Sequence, residues 1–145
     1  MSDDDLCYLS ASEALGLFRK RSLKPSELLA ALHKRAAKVN PAINCFADQY
    51  WDEAMEKAKA ADAAHAKRGG RVRPLEGVPL AVKDAQRVKG KRTTHGSLIF
   101  MDAPPDAHSD PMIERLEKAG AIVFARHVRA DRGLRRREAV GLARR

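Results

Sequence analysis

Cysteine is scarce, aromatic residues are few and no long apolar run occurs, and each shortage closes off a class of protein. Cys7 and Cys45 are the two cysteines of a 145-residue chain. They stand far apart, with no CxxC and no Cys/His ligand spacing, which fits two reduced thiols in a cytoplasmic protein and not a disulfide scaffold. No stretch approaches the roughly 20 apolar residues that cross a bilayer, so no membrane partner is expected. The opening Met1-Ser2-Asp3-Asp4-Asp5 is acidic and lacks the basic start and apolar core of a secretory signal. GxSxG, SxxK, HExxH and a GxGxxG after a strand are all missing, which removes the common hydrolase, metalloprotease and dinucleotide signatures. Gly90-Lys91-Arg92-Thr93 has the end of a phosphate loop without its upstream glycine. The five histidines are scattered without metal-ligand spacing, and His33 and His65 are expected on helix surfaces or at a core edge.

What is present describes one soluble domain: 44% hydrophobic and 32% charged residues, in a length that supports a single core. The net charge of +9 is unevenly spread. Residues 126–145 hold eight arginines, no lysine and two acids, which accounts for +6 of the total. The first 125 residues therefore carry only +3, in an ordinary mixture of signs.

Helical and strand periodicities alternate along the chain. Ser10 and Glu13 form a capping box before a short helix that buries Ala14, Leu17 and Phe18 and ends near Arg21-Ser22. Pro25 suits the first turn of a second helix, with Leu28, Leu32, Ala36 and Val39 on one face and a stop near Asn40-Pro41. Ile43–Ala47 is a candidate edge strand. From Trp51 a third helix sets Ala54, Met55, Ala58, Ala61 and His65 on one side and alternating charges on the other, until Gly69-Gly70. Arg71–Pro74 reads as a solvated basic connector. Val78–Val82 is an apolar strand. Asp110-Pro111 opens a helix burying Ile113 and Leu116, Gly120 is its C-cap, and Ala121–Ala125 is a second buried strand. A strand–helix–strand order implies a crossover and a parallel pairing. The fold class is α/β, with short N-terminal helices packed on a small mixed sheet.

Lys83 stands at the end of the apolar strand, followed at once by Asp84. Half buried, it would have its charged form disfavoured and its pKa lowered toward the range of proton transfer. At a strand mouth, it would snorkel to water. Its neighbours add a resemblance. Leu75-Glu76-Gly77-Val78-Pro79-Leu80-Ala81-Val82-Lys83-Asp84 resembles the Leu-x-Gly-[Val/Ile]-Pro-x-x-[Val/Ile]-Lys-Asp signature of the amidase-signature family. Gly90, Thr93-Thr94 and Gly96-Ser97 are similar to that family's glycine-rich TT-x-GS loop, and Asp110, Leu116 and Ala119–Val123 to its helix-to-strand segment. Upstream, Leu23–Leu28 and Asn40–Phe46 are similar to its opening helices. The likeness runs in consistent order from about residue 10 to Arg126.

That resemblance implies the N-terminal part of a hydrolase that cleaves carboxamide C–N bonds through a Ser–cis-Ser–Lys triad. The neutral lysine takes a proton through a bridging serine so that a second serine attacks the carbonyl. Lys83 matches the family's lysine. Asp84 is expected to fix the local backbone, and Thr93, Thr94, Gly96 and Ser97 to shape the floor of the substrate site. Ser97 matches a structural loop and is not expected to be the nucleophile. No metal or organic cofactor is implied, and the partner is a small amide. Ala85 stands where the family often has Asn. The larger departure is that 62 residues follow Lys83 with no glycine/serine-rich loop among them, so both serines are expected outside this chain and the chain is expected to be inactive alone. A sheet cut there is expected to leave Val123 and Phe124 poorly buried on at least one side.

Residues 1–125 are thus the amidase-like portion, and 126–145 an arginine-rich tail expected to be non-native, as from a shifted reading frame, or disordered. The alternatives are a non-catalytic product of a disrupted gene and a basic module that neutralises phosphates through the tail. The tail has no aromatic residue to stack on bases, which argues against nucleic acid. Reading the coding DNA beyond the Arg126 codon in its two other frames is expected to recover amidase-like sequence; an unbroken frame with none in either would sink the frameshift.

Overall fold

A computed structural model describes residues 2–67 and 69–128. The tail expected to be non-native lies, beyond Val128, outside the described residues. Among the described residues, five α-helices and three strands follow one another as α1 (Asp3–Leu6), α2 (Ala11–Arg19), α3 (Pro25–Ile43), β1 (Phe46–Gln49), α4 (Trp51–Ala66), β2 (Pro79–Lys83), a 3₁₀ turn (Leu98–Phe100), α5 (Pro111–Lys118) and β3 (Ile122–His127).

The local signals explain most of these boundaries. In α2 the Ser10 hydroxyl accepts the Glu13 N–H (3.3 Å) and Glu13 accepts the Ser10 N–H (2.8 Å), the reciprocal arrangement the capping box calls for. Helix α3 begins on Pro25, but Lys24 at its N-cap offers no side-chain oxygen to the first turn. Asp62 of α4 supplies one, accepting from the Ser26 N–H (3.0 Å) and Ser26 hydroxyl (2.5 Å). The end of α3 differs from expectation, since it runs through Pro41 to Ile43. Pro41 brings no N–H to the last turn, and the backbone hydrogen bond it forgoes is lost close to the helix end. Termination comes from Asn44 in the left-handed region (φ 49°) and from the Asn40 side chain, which accepts the Cys45 (2.9 Å) and Phe46 (3.3 Å) N–H groups. Ile43 and Asn44 are thereby used by the helix end, and β1 starts later than expected. Helix α4 buries Ala54, Ala58, Ala61 and His65, the face its periodicity indicated.

The sheet is mixed, in the order β1-β3-β2. Strands β2 and β3 pair in parallel from Pro79↔Ile122 to Lys83↔His127, with α5 in the crossover, and β1 pairs antiparallel to β3. The central strand is buried on both faces. On one, Phe124, Ile122 and Ala125 pack with Leu29, Ala54 and Ala58, and Trp51 stacks on Phe124 at 4.7 Å. On the other, Val123 packs with Val82, Val88 and Ile113. The expectation of poorly covered Val123 and Phe124 is therefore corrected: they are 5% and 8% exposed, because β3 lies between its partners while the free edges belong to β1 and β2. Strand β3 also continues through Arg126 and His127, so the boundary drawn after residue 125 falls inside it.

Two loops hold the crossover. Asp110 occupies the N-cap position of α5 but makes no capping bond to it. Its carboxylate instead accepts the Arg87 N–H and Nε, both at 2.9 Å. After α5, Gly120 (φ 107°) carries the chain against the Leu75–Gly77 turn, its carbonyl accepting the Gly77 N–H at 3.0 Å. A Cβ there would stand 2.7 Å from Glu76 Cα and 2.8 Å from Glu76 N, backbone atoms that cannot step aside. Gly120→Ala is expected to lower stability by about 3 kcal/mol. Gly16→Ala, inside α2 with open space around it, is expected to raise stability by about 0.5–1 kcal/mol. Urea midpoints of the two variants check the opposite signs.

Candidate functional site

The carboxyl ends of β2 and β3 lie side by side, the position at which open α/β sheets present their functional groups. Lys83 is the last residue of β2, paired in register with His127. Its side chain is exposed, not half buried, and among the described residues no hydrogen bond or ion pair holds its ammonium. Alternation along the strand turns the next residue the other way. Asp84 is 1% exposed.

A carboxylate so deeply buried must be paired and hydrogen-bonded, and Asp84 is. Oδ1 accepts from Arg126 Nε (3.0 Å) and the Thr94 N–H (3.1 Å). Oδ2 accepts from the Gly96 N–H (3.1 Å) and the Thr94 hydroxyl. The structure thus brings Asp84, Thr94 and Gly96 together around one carboxyl group. Gly96 sits at φ 72° after His95 at φ 53°, and this left-handed pair turns the loop back toward Asp84. Ser97 stands apart from that carboxyl group. Its N–H donates to Thr94 O (2.9 Å) and its Oγ accepts the Ile99 N–H (3.3 Å), capping the 3₁₀ turn. Thr93 joins through Arg126, whose Nη2 donates to Thr93 Oγ1 (3.0 Å) and Gln86 O (2.8 Å). Thr93 Oγ1 in turn donates to Asp106 (2.5 Å).

Arg126 is the residue that sequence reasoning missed. It is fully buried, and Nη1 has no hydrogen-bond partner among the described residues. Composition assigned it to the arginine-rich tail. The available signal was positional: a cation directly following five apolar strand residues, opposite a second strand that ends in Lys-Asp.

Charges ring this centre. Asp48, opposite Arg126 on β1, is pushed above the usual carboxylate range by burial, with Arg92 at 3.9 Å pulling the other way. Burial also raises the Tyr50 hydroxyl well above its ordinary value. His33 stacks on Trp51 at 4.5 Å, and buried His65 meets Glu76 O at 3.1 Å, so neither faces the site. Cys7 and Cys45 are free thiols, each raised by burial. Among the described residues no cluster of His, Cys, Asp or Glu could hold a metal ion, and no helix is long and apolar enough to cross a membrane.

The arrangement offers an accessible amine at the end of β2 and, around Asp84, a floor held by hydrogen bonds. The Thr94 and Gly96 N–H groups are engaged by Asp84, so they are not free to stabilise an oxyanion. Removing the charge of Asp84 would strand a buried guanidinium. Asp84→Asn is expected to cost about 3–5 kcal/mol, read as a lowered urea midpoint.

Comparison with known proteins shows what the chain as a whole is similar to. Residues 27–128 match the family described as Amidase. The chain is 34% identical to the A-type component of the glutamyl-tRNA(Gln) amidotransferase of Moorella thermoacetica over 122 residues, which is 84% of this chain and 25% of that protein. It superposes on the structure of a fatty acid amide hydrolase with a TM-score of 0.77 at 27% identity, covering 86% of this chain and 22% of the other. A bacterial aryl acylamidase of the amidase-signature enzymes shares the fold at 23% identity, with a TM-score of 0.76 over 85% of this chain and 26% of that one. The chain spans about a quarter of the length of the relatives it matches.

Proposed function

Because the chain belongs to the amidase-signature family, we propose that it supplies the lysine arm of a serine-dependent hydrolase of carboxamide C–N bonds. Lys83 is the general base of that reading. In its neutral form it accepts a proton relayed through a bridging serine, the nucleophilic serine attacks the amide carbonyl, and ammonia or an amine leaves from the acyl-enzyme that water then cleaves. The single observation that carries the reading is the placing of Lys83: an exposed residue at a strand end, followed at once by a buried carboxylate that holds Thr94 and Gly96.

Neither serine of the triad is among the residues of this chain on this reading. Ser97 is the serine nearest in sequence to the site, and its hydroxyl serves the 3₁₀ turn. Asp84, Thr93, Thr94 and Gly96 build the floor and Ser97 its rim, without touching the reacting bond. The chemistry takes its charge and proton transfers from side chains, so the reading calls for no metal or organic cofactor. The substrate class is a small carboxamide or, by likeness to the amidotransferase component, an amide donor whose nitrogen is passed on.

Ammonia release from a panel of small carboxamides tests this in two forms of the protein. The 145-residue chain alone is expected to release none. Residues 1–128 substituted for the matching segment of an amidase relative are expected to restore release, and Lys83→Ala in that chimera to lower it at least about 1,000-fold. Release that survives Lys83→Ala would sink the assignment of the base. Release from the chain alone would show that it holds a nucleophile of its own.

A further inference from the structure

Lys83 is exposed and no hydrogen bond or ion pair among the described residues grips its side chain, so its position depends on its backbone. That backbone is held from two sides. The Gln86 N–H donates to Lys83 O at 3.0 Å, closing the turn after β2, and the Asp84 N–H donates to His127 O at 2.9 Å, tying the same turn to β3. Both ends of this clamp lead to one side chain. Arg126 Nε binds the Asp84 carboxylate (3.0 Å), and Nη2 binds the carbonyl of Gln86 (2.8 Å) and the hydroxyl of Thr93 (3.0 Å). The guanidinium thus fastens the residue after Lys83, the far end of its turn and the start of the Thr93–Ser97 loop to the central strand of the sheet.

We propose that Arg126 is a positioning residue for this site, setting through Asp84 and the Lys83–Gln86 turn where the Lys83 amine stands at the end of β2. The inference rests on the reading of Lys83 as the base, though the contacts that carry it do not. The planar fork matters as much as the charge. Three acceptors in fixed directions suit a guanidinium, while an ammonium on a flexible stem meets one or two of them. A lysine at 126 would keep a cation opposite Asp84 and lose the span to Gln86 and Thr93.

The test uses the full 145-residue chain and its Arg126→Lys variant, with residue-resolved amide hydrogen exchange and the NMR signal of the Lys83 ε-methylene. A positioning role predicts exchange about tenfold faster at the amides of Gln86, Thr94 and Gly96, with the amides of Ala58 and Ala61 in α4 changed less than about twofold. It also predicts a displaced Lys83 ε-methylene signal, although no side-chain hydrogen bond joins Lys83 to Arg126. Acceleration spread evenly over the chain would mean a general stabilising role and overturn the proposal. So would local acceleration with the Lys83 signal unmoved, which would limit Arg126 to holding the loop. If Arg126→Lys does not fold, Thr93→Val removes one prong of the fork and is read by the same two signals with the same outcomes. These readouts need no turnover. A failed ammonia assay with a positive exchange result would count against the Lys83 chemistry, and the reverse against Arg126.

Discussion

Burying a full positive and a full negative charge together is the constraint from which the rest of this structure can be reconstructed. Asp84 and Arg126 are each without solvent exposure along their side chains. Such a pair is tolerable only when good geometry and further hydrogen bonds offset the loss of water. Asp84 meets that demand by drawing in the backbone of Thr94 and Gly96 and the hydroxyl of Thr94. Arg126 meets most of it by reaching Gln86 and Thr93. The apolar residues beside the Thr93–Ser97 loop, Leu98, Ile99 and Phe100, are all exposed. Its shape follows from the carboxylate it must satisfy.

The pair can form only because β3 runs between β1 and β2. Parallel pairing sets Val82 opposite Arg126 and Lys83 opposite His127, so Asp84 emerges from β2 just beyond the guanidinium. That register depends in turn on the tight passage at Gly120, where the chain leaves α5 against the backbone of Glu76. The Leu75–Gly77 turn, the Gly120 passage and the buried pair therefore form one chain of dependence. Within it, Asp84 and Arg126 alone are 42 residues apart in sequence. The helical layer acts on the opposite face, where alanines of α4 let Trp51 and Phe124 approach closely enough to stack.

How much of this could be read beforehand depended on whether the signal was local. The capping box at Ser10, the alanine face of α4, the two apolar strands and their parallel pairing all follow from spacing within a short window, and all are present. Asn40 and Asn44 extended α3 past Pro41 by side-chain and left-handed capping that periodicity does not register. Asp62 capping α3, and Asp110 holding Arg87 where a helix cap was expected, are contacts across the fold. Lys83 and Asp84 stood out through a resemblance in the residues around them. Arg126 did not, because a buried cation and a solvated one look alike in a sequence, and its arginine-rich surroundings favoured the second. Its partner 42 residues upstream was the missing information.

Hydrogen-bond supply finally bounds what this portion of the fold can contribute to catalysis. Acyl transfer needs a nucleophile, a base and donors aimed at the developing oxyanion. The backbone N–H groups of Thr94 and Gly96 already serve Asp84, and the Ser97 hydroxyl oxygen accepts from the turn that follows. Freeing the Thr94 or Gly96 N–H for an oxyanion would leave the buried carboxylate short of a partner, which is disfavoured more strongly than a single hydrogen bond is worth. The floor can therefore be rigid only by being chemically passive. On the proposed reading this is a division of labour: residues 75–127 hold a base in place, and the oxyanion donors come from the same source as the serines.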